Sequence, residues 1–572
     1  VANKSSSGKP FVEHLKKTLG RSYEIDSFVV GKDGASWASN EIGYACDKAD
    51  LVIVNFLETS NLPSRKYGIL DSAVKECHSR ISKSDSLNLT KWAVNIFANP
   101  YVLNDNWGEI KELTDVLLLA YQDDDRTQEA AVNTITGVGS ANGRLPVTPI
   151  GLDFQEGDGL GLDMKIGERL GWDNGACNGN WGAHAQIDSI VNEALEAGAF
   201  PGCRVVVAHQ GRVMHDGVYG TTDGTVKVKE STIYDLASIT KIAATTLCLM
   251  AEEEANMFDV DEPILKKLTT LDTTDIGTKT YREILSHQAG LYPWIPFYLE
   301  TLSDSLNLLS SRPLCDKNIC ITPELYICEE FIDTIYKRII SSELKPSGEY
   351  RYSDLGYYLI HKMLNNTYGT DYAIDSLSAA KFYNPMGLFS MGYHPLNISG
   401  INLNEIAPTE VDTIFRKGTI QGYVHDPGAA LFGGVCGHAG VFSDAHDLAR
   451  LGQMLLNGGS SLGIHFFDLK ENTIKNWTQR AFPKGDNRRG IGFDKPALEY
   501  DHGPTCNLAS KSSFGHSGFT GTLLWVDPQY ELVYVFLSNR TYPDSENTKL
   551  ITMDVRTEIQ RVIMEQLNTP LR

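Results

Sequence analysis

A serine three residues before a lysine is the first feature that could do chemistry. Ser238-Ile239-Thr240-Lys241 follows Tyr234-Asp235-Leu236-Ala237 and opens the apolar run Ile242-Ala243-Ala244. On a helix, positions i and i+3 share a face about one turn apart, so the lysine can reach the serine hydroxyl. A serine at a helix start also meets the positive end of the helix dipole. A free hydroxyl is a poor nucleophile and needs an adjacent base or a cation that biases proton transfer; Ser-x-x-Lys supplies both within one turn. Two later stretches join it. Tyr350-Arg351-Tyr352-Ser353-Asp354-Leu355-Gly356 offers a phenol, a general base wherever neighbouring cations lower its pKa. Phe514-Gly515-His516-Ser517-Gly518-Phe519-Thr520-Gly521 precedes an apolar strand. Small residues there let an edge strand approach a substrate and point backbone N–H groups at a carbonyl or oxyanion. Taken singly, each stretch reads as ordinary structure: a capped helix, aromatic packing, a glycine turn. Their weight lies in the set.

Length and patterning define the elements that must position these groups. The 572 residues suggest roughly two to four domains. A hydrophobic fraction of 42% beside 22% charged residues describes a globular protein with ample core material. The net charge is −21, from 51 basic and 72 acidic residues, which argues against a nucleic-acid partner or an anionic membrane surface. No apolar run reaches the roughly eighteen residues of a membrane span. The start, Val1-Ala2-Asn3-Lys4, shows neither an initiator methionine nor an apolar signal core and reads as a cut edge. Ten cysteines are scattered without a Cys-x-x-Cys pair. Cys315, Cys320 and Cys328 cluster in an insertion where a local disulfide would form in an oxidising compartment.

Residues 1–150 alternate helical and strand-like segments. Ala49 to Phe56, Trp92 to Phe97 and Val116 to Tyr121 are short apolar runs of the kind found in buried parallel strands; Phe11 to Leu19, Ser72 to Ser82 and Thr127 to Thr136 have helical patterns. This alternation predicts a parallel sheet with helices on both faces, an α/β sandwich. Phe97-Ala98-Asn99-Pro100-Tyr101-Val102-Leu103, Leu119-Ala120-Tyr121-Gln122-Asp123-Asp124 and Gly143-Arg144-Leu145-Pro146-Val147 resemble the α/β sandwich domain of family 3 glycoside hydrolases. In that family the sandwich follows a (β/α)8 barrel carrying the sugar site, and such a barrel of about 250 residues has no room upstream here. The resemblance therefore implies the second half of such an enzyme, without its glycosidase barrel. Asp123-Asp124-Asp125 is read as structural, because glycoside hydrolysis needs two carboxylates flanking a bound sugar.

Residues 151–183 are rich in glycine and aspartate and lack apolar periodicity, as expected of an irregular linker. Leu160, Leu162, Met164 and Ile166 are candidates to pin part of it onto a neighbouring domain. The second domain is placed at 184–572. It opens on a helix from Ala185 with Ile187, Ile190, Val191 and Leu195 on one face. A hairpin of Arg204–His209 and Val213–Tyr219 turns at Gln210-Gly211. Strands return at Thr522–Asp527 and Leu532–Leu537, and a helix from Ile551 to Leu567 closes the chain. Strands at both ends with helices between predict one antiparallel sheet flanked by a helical region, an α+β domain.

In this order and spacing the three stretches resemble the serine hydrolases related to class C β-lactamases, penicillin-binding carboxypeptidases and esterases, from about Ala185 to the C-terminus. That family uses Ser-x-x-Lys, Tyr-x-Asn or a variant, and Lys/His-x-Gly. The resemblance implies Ser238 as nucleophile, Lys241 as its proton partner, Tyr352 as shared base and His516 in the place of a family lysine. It implies an oxyanion hole from the N–H of Ser238 and one near Phe519-Thr520, with Asp354, Ser517 and Gly518 contacting substrate. Asp354 stands where the family often has asparagine and introduces a charge able to pair with Lys241. His516 removes a cation, which disfavours a substrate carboxylate and hence true β-lactam or D-Ala-D-Ala specificity.

Two His-containing, Gly-rich loops complete the picture: Gln421-Gly422-Tyr423-Val424-His425-Asp426-Pro427 and Gly433-Gly434-Val435-Cys436-Gly437-His438-Ala439-Gly440. His425 and His438 suit a polar substrate lining. His425, Asp426, His438 and His446 match no common zinc spacing, and serine chemistry requires neither metal nor cofactor, so none is expected. The loops resemble a subgroup containing N-acetylmuramoyl-L-alanine amidases of cell-wall recycling. Some bacterial chains fuse such a hydrolase to a family 3 N-acetylglucosaminidase. The implied activity is cleavage of the amide between a muramic sugar and its stem peptide in a muropeptide, in the periplasm or cell envelope of a bacterium. Alternatives are an esterase, a D-Ala-type carboxypeptidase or β-lactamase, a catalytically idle cell-wall binding protein, and a fragment of a glucosaminidase fusion.

Overall fold

Three parallel strands, Leu51–Phe56, Lys91–Ile96 and Val116–Leu119, lie side by side in sequence order in the computed structural model of the chain. The structure describes residues 7–19, 23–31, 40–84, 90–104, 107–136, 143–150, 152–159, 170–172, 181–303, 308–369, 373–461, 463–468, 472–499 and 503–568. Alternate residues of the three strands point to opposite faces, as the period of two demands. Val54, Phe56, Val94 and Ile96 pack with Cys77, Ile81, Trp107 and Ile110 from helices Asp71–Ser84 and Gly108–Leu113 and the residue before the latter. On the other face Leu57, Phe97 and Leu118 pack with Phe11, Leu15, Ala131 and Val132 from helices Lys9–Leu19 and Asp125–Ile135. Both faces are covered, which is why the strands read as continuous apolar runs. The one polar pair in the centre is in register: Asn95 Nδ2 donates to Asn55 Oδ1 at 2.7 Å. Two members of the acidic triplet make bonds within the fold. Asp124 caps helix Asp125–Ile135 by accepting from Thr127 N–H, and Asp123 accepts from Glu58 N–H and Gln128 Nε2. Helices Asn40–Lys48 and Gly108–Leu113 were not expected from the sequence. The first holds a glycine and few apolar residues, and the second is six residues long.

These elements form one compact unit, Val1–Gly171; a second spans Trp172–Arg572. The candidate pinning residues Leu160, Leu162, Met164 and Ile166 lie outside the described residues.

The second unit is built on an antiparallel sheet ordered Phe514–Ser517, Leu523–Asp527, Leu532–Ser538, Gly202–His209, Arg212–Gly220. Strands from the two ends of the unit meet at its centre, where Leu532 pairs with His209 and Ser538 with Cys203. The hairpin turns at Gln210 (φ 51°) and Gly211 (φ 71°), the two left-handed residues that a tight two-residue connection requires. Val205, Val207, Trp525, Tyr534 and Phe536 face helices Ala183–Glu196 and Val555–Asn568. Helix Ala445–Leu456 packs on the opposite face. There it presents Gly452, where a Cβ would come within 2.7 Å of Val533 and 2.8 Å of Leu524. The expected closing helix is split: Lys549–Thr552 and Val555–Asn568 flank Asp554, whose φ of 51° breaks the run.

In the insertion, Cys315 and Cys328 are joined by a disulfide across the small sheet of Leu309–Ser310, Asn318–Thr322 and Leu325–Cys328, leaving Cys320 free and exposed. Among the described residues no helix is long and apolar enough to cross a membrane.

Candidate active site

The nucleophile candidate sits on a turn held from both sides. Tyr234–Asp235 pairs antiparallel with Phe442–Ser443. The chain then passes through Ala237, left-handed at φ 47°, into a tight 3-10 turn, Ala237–Ile239. The helix widens to a π turn over Lys241–Thr245 before becoming regular at Thr246–Glu254. The regular α start expected from the sequence is thus a tight turn followed by a wide one. The i, i+3 reach nevertheless holds, because Lys241 Nζ donates to Ser238 Oγ at 2.9 Å.

Lys241 is completely buried, and a buried ammonium needs partners. Besides Ser238 Oγ it donates to the His438 carbonyl at 3.3 Å. Its Nζ also forms an ion pair with Asp354 Oδ1 at 2.6 Å. Burial by itself lowers the lysine pKa; the Asp354 carboxylate, followed by the Tyr352 phenol, outweighs it and holds the pKa above its ordinary value. Lys241 is therefore a charged group here. Tyr352 OH donates to Ser238 Oγ at 3.0 Å, so the serine oxygen accepts from two donors at once. Burial raises the Tyr352 pKa and the nearby Lys241 charge only partly offsets it, so the phenol keeps its proton at rest.

The Tyr352 loop is stitched to the segment His287–Pro293. Arg351 N–H donates to His287 O at 2.8 Å, Ser353 N–H to His287 Nδ1 at 3.1 Å, and Asp354 N–H to Pro293 O at 3.1 Å. The His287 ring centroid lies 4.4 Å from that of Tyr352, and the buried Arg489 guanidinium lies 5.8 Å from the tyrosine ring. Arg489 is tied down by Asp494 at 3.3 Å and by the Gly492 carbonyl. No residue pattern singles out Arg489 as a neighbour, whereas His287 lies in Ile284–Leu291, a stretch that agrees with the same serine hydrolases.

His516 lies in strand Phe514–Ser517 with its ring 6.1 Å from Tyr352. A carbonyl only accepts, so the 2.8 Å contact between His516 Nδ1 and Ser517 O fixes the proton on Nδ1. Nε2 is left as a buried lone pair without a hydrogen-bond partner among the described residues. Burial, with Arg489 and Lys241 next, holds the imidazole well below its ordinary pKa and hence neutral.

The turn after it is pinned to the nucleophile. Thr520 Oγ1 donates to Asp235 O at 2.7 Å and Thr522 Oγ1 to Leu236 O at 3.1 Å. Gly518 is required by this approach: a Cβ there would stand 2.1 Å from Thr522 Oγ1 and 2.4 Å from Leu236 O. Phe519, 55% exposed, lies at the mouth with its ring stacked at 5.6 Å on His425 and the Arg540 guanidinium 4.6 Å away. Ser517 precedes Gly518 at the strand end, half-buried.

The two loop histidines are engaged with carboxylates. His425 Nε2 meets Glu410 at 2.8 Å, and the buried His438 Nε2 meets the half-buried Asp426 at 3.0 Å. His438 reaches the centre through its carbonyl, not its ring. His446 pairs with Asp216 at 2.9 Å. Among the described residues the one group of three with metal-ligand proximity is Cys315, Cys328 and Glu330, whose cysteines are already joined as the disulfide.

A serine oxygen held by a buried ammonium and a phenol, beside an antiparallel sheet edge, defines a serine-hydrolase-type catalytic domain. Comparison with known proteins gives the family: residues 187–555 match the beta-lactamase family, and the chain belongs to it. Among curated proteins it is similar to the N-acetylmuramyl-L-alanine amidase of Bacillus subtilis (strain 168), 30% identical over 390 residues, covering 62% of this chain and 81% of the relative. It is likewise similar to a candidate D-alanyl-D-alanine carboxypeptidase of Escherichia coli O157:H7, 28% identical over 382 residues, with 62% and 82% covered. Among solved structures, EstCE1, a hydrolase with promiscuous acyltransferase activity, aligns over 66% of this chain and 98% of its own at 17% identity and a TM-score of 0.49. The family match lies within the second unit.

Proposed function

We propose that the second unit is an amidohydrolase that cleaves muropeptides between the muramic sugar and its stem peptide, through an acyl-enzyme on Ser238. The observation that carries the reading is the double donation onto Ser238 Oγ, from Lys241 at 2.9 Å and Tyr352 at 3.0 Å. Such an arrangement stabilises negative charge on the serine oxygen as it attacks. The chemistry then balances simply. As Ser238 Oγ bonds to the acyl carbon, the Tyr352 hydroxyl turns its own proton from the serine to the leaving nitrogen and takes the serine proton in its place, so the C–N bond breaks with the phenol protonated again. Lys241, charged throughout, offsets the transient charge on both oxygens. Water then attacks the ester, with Tyr352 relaying its proton back to Ser238. The N–H groups of Ser238 and of the Phe519-Thr520 turn would receive the carbonyl oxygen, with Asp354, Ser517, Gly518, His425 and His438 shaping the substrate site.

Two features favour an amide of this kind over a β-lactam or D-Ala-D-Ala terminus. His516 is neutral and offers a lone pair where a cation would bind a carboxylate. The Bacillus subtilis relative carries the name of an N-acetylmuramyl-L-alanine amidase. An esterase or a D-Ala-type carboxypeptidase would use the same machinery and is the second reading, favoured by the Escherichia coli relative. A bacterial cell-envelope location is supported by the Cys315–Cys328 disulfide, since such bonds persist in oxidising compartments. On its sequence motifs we place residues 1–150 with the family 3 glycoside hydrolase sandwich and 151–183 as linker to 184–572, and assign the sandwich no chemistry.

The test is product mass from a defined muropeptide, run beside short acyl esters and D-Ala-D-Ala peptides. Release of intact stem peptide is expected, and Ser238→Ala should abolish both turnover and covalent labelling by a fluorophosphonate. Release of terminal D-Ala alone would move the assignment to a carboxypeptidase. Full activity in Ser238→Ala would overturn the mechanism, and an unlabelled wild-type serine would favour an idle binding protein.

A further inference from the structure

Asp235 is buried to 1% exposure and makes no contact with the reacting oxygen, yet three parts of the site converge on it. Its Oδ1 accepts from Ala237 N–H at 2.8 Å, and its Oδ2 accepts from His425 N–H at 2.6 Å. Its main-chain oxygen accepts from Thr520 Oγ1 at 2.7 Å. Each bond reaches a different piece of machinery. Ala237 is the left-handed residue, φ 47°, directly before Ser238. A side chain with a Cβ takes that conformation only when its surroundings impose it, and the Asp235 bond clamps the peptide that leads into it. His425 leads the loop to Asp426, which pairs with His438, whose carbonyl accepts from Lys241. Thr520 belongs to the turn that faces the nucleophile across Gly518. Both carboxylate oxygens face N–H donors. A carboxamide would satisfy one of them and turn its own N–H groups on the other.

We propose that Asp235 is a positioning residue for acylation: it holds the left-handed turn that presents Ser238 Oγ to Lys241 and Tyr352 and keeps the Ser517–Thr520 edge aligned with it. This rests on the serine-hydrolase reading of the site. No proton is moved by Asp235, and its effect is exerted through Ala237, His425 and Thr520.

The test uses the full chain and two readouts, the rate of Ser238 labelling by a fluorophosphonate and the kcat and KM for a short acyl ester. Asp235→Asn should lower the labelling rate and kcat by about tenfold or more, the scale of a lost hydrogen bond to a charged acceptor, with KM close to the wild-type value. Adding Ala237→Gly should recover part of the labelling rate, since glycine takes the left-handed turn without a clamp. Recovery of thermal stability without recovery of rate would reduce Asp235 to a fold-stabilising residue and overturn the proposal. So would labelling of Asp235→Asn at the wild-type rate. If Asp235→Asn does not fold, Asp235→Ala carries the test, because it removes both carboxylate bonds without turning N–H groups on Ala237 and His425; labelling at the wild-type rate there overturns the proposal. Failure of the wild-type chain to label at all would instead sink the serine-nucleophile reading on which it stands.

Discussion

The Lys241 ammonium, wholly buried, lies 2.6 Å from the Asp354 carboxylate and is thereby kept charged beside the serine it serves. A neutral partner at position 354 would leave burial as the main influence, pushing the lysine towards the uncharged amine. In this chain Lys241 acts as a fixed positive charge, and Tyr352 is the group placed to relay the proton.

Replacing Asp354 by asparagine tests that division of labour. Asp354 raises the pKa of Lys241 and also that of Tyr352, so removing its charge lowers both. The active form needs both protonated, and the alkaline limb of the pH profile of kcat/KM should therefore move to lower pH, by about one to three units for loss of an opposite charge in contact. A limb that stays in place would show that the lysine charge is not required.

His516→Lys places a cation where the structure has a neutral imidazole. Its kcat/KM for a substrate ending in a free carboxylate, relative to the matching carboxamide, should rise by about tenfold over the wild-type ratio, the scale of a charge-assisted hydrogen bond. Burial and then the Arg489 and Lys241 charges, which together hold the histidine neutral, would restrain the gain. An unchanged ratio would mean that this position does not read the substrate's end.

The pair of buried His438 and half-buried Asp426 predicts how stability changes with pH. Burial disfavours the imidazolium, but the Cys436 sulfur and the Asp426 carboxylate raise the His438 pKa from 6.5 to about 10. A group that binds its proton more tightly when folded stabilises in full below its ordinary pKa, and that contribution is lost as pH rises to the folded value. The His438 contribution is thus complete below pH 6.5 and gone above about pH 10. On the acid side Asp426, held below its ordinary value by His438 against the cost of burial, loses its contribution only as pH drops under 3.8. Denaturant titrations should show wild-type stability falling from neutral pH to about pH 10, with a much shallower fall in His438→Gln. Equal slopes would place the alkaline loss elsewhere.

Much of the fold is local enough to read from residue types. Leu51–Phe56 is a strand in any setting that covers both its faces, and Gln210-Gly211 supplies the two left-handed residues a tight hairpin needs. Ser238 and Lys241 are equally local, because any tight helical turn brings positions i and i+3 within reach. The broken closing helix escaped because Asp554 adopts a conformation that its residue type does not announce.

By itself the sequence determined most strands of the two main sheets, the longer helices that flank them and the order of the three chemical stretches, all properties of short range or of residue type. Only the tertiary structure decided what those groups are. Tyr352 lies 114 residues from Ser238, and Asp235 is 190 residues from His425 and 285 from Thr520. These partners meet because strands from both ends of the second unit close into one sheet and draw the loops between them to its edge. Burial in that closed centre then sets the protonation: lysine charged by its aspartate, tyrosine protonated, histidine neutral. No spacing along the chain encodes those states, since they depend on which charges share a space that water has left.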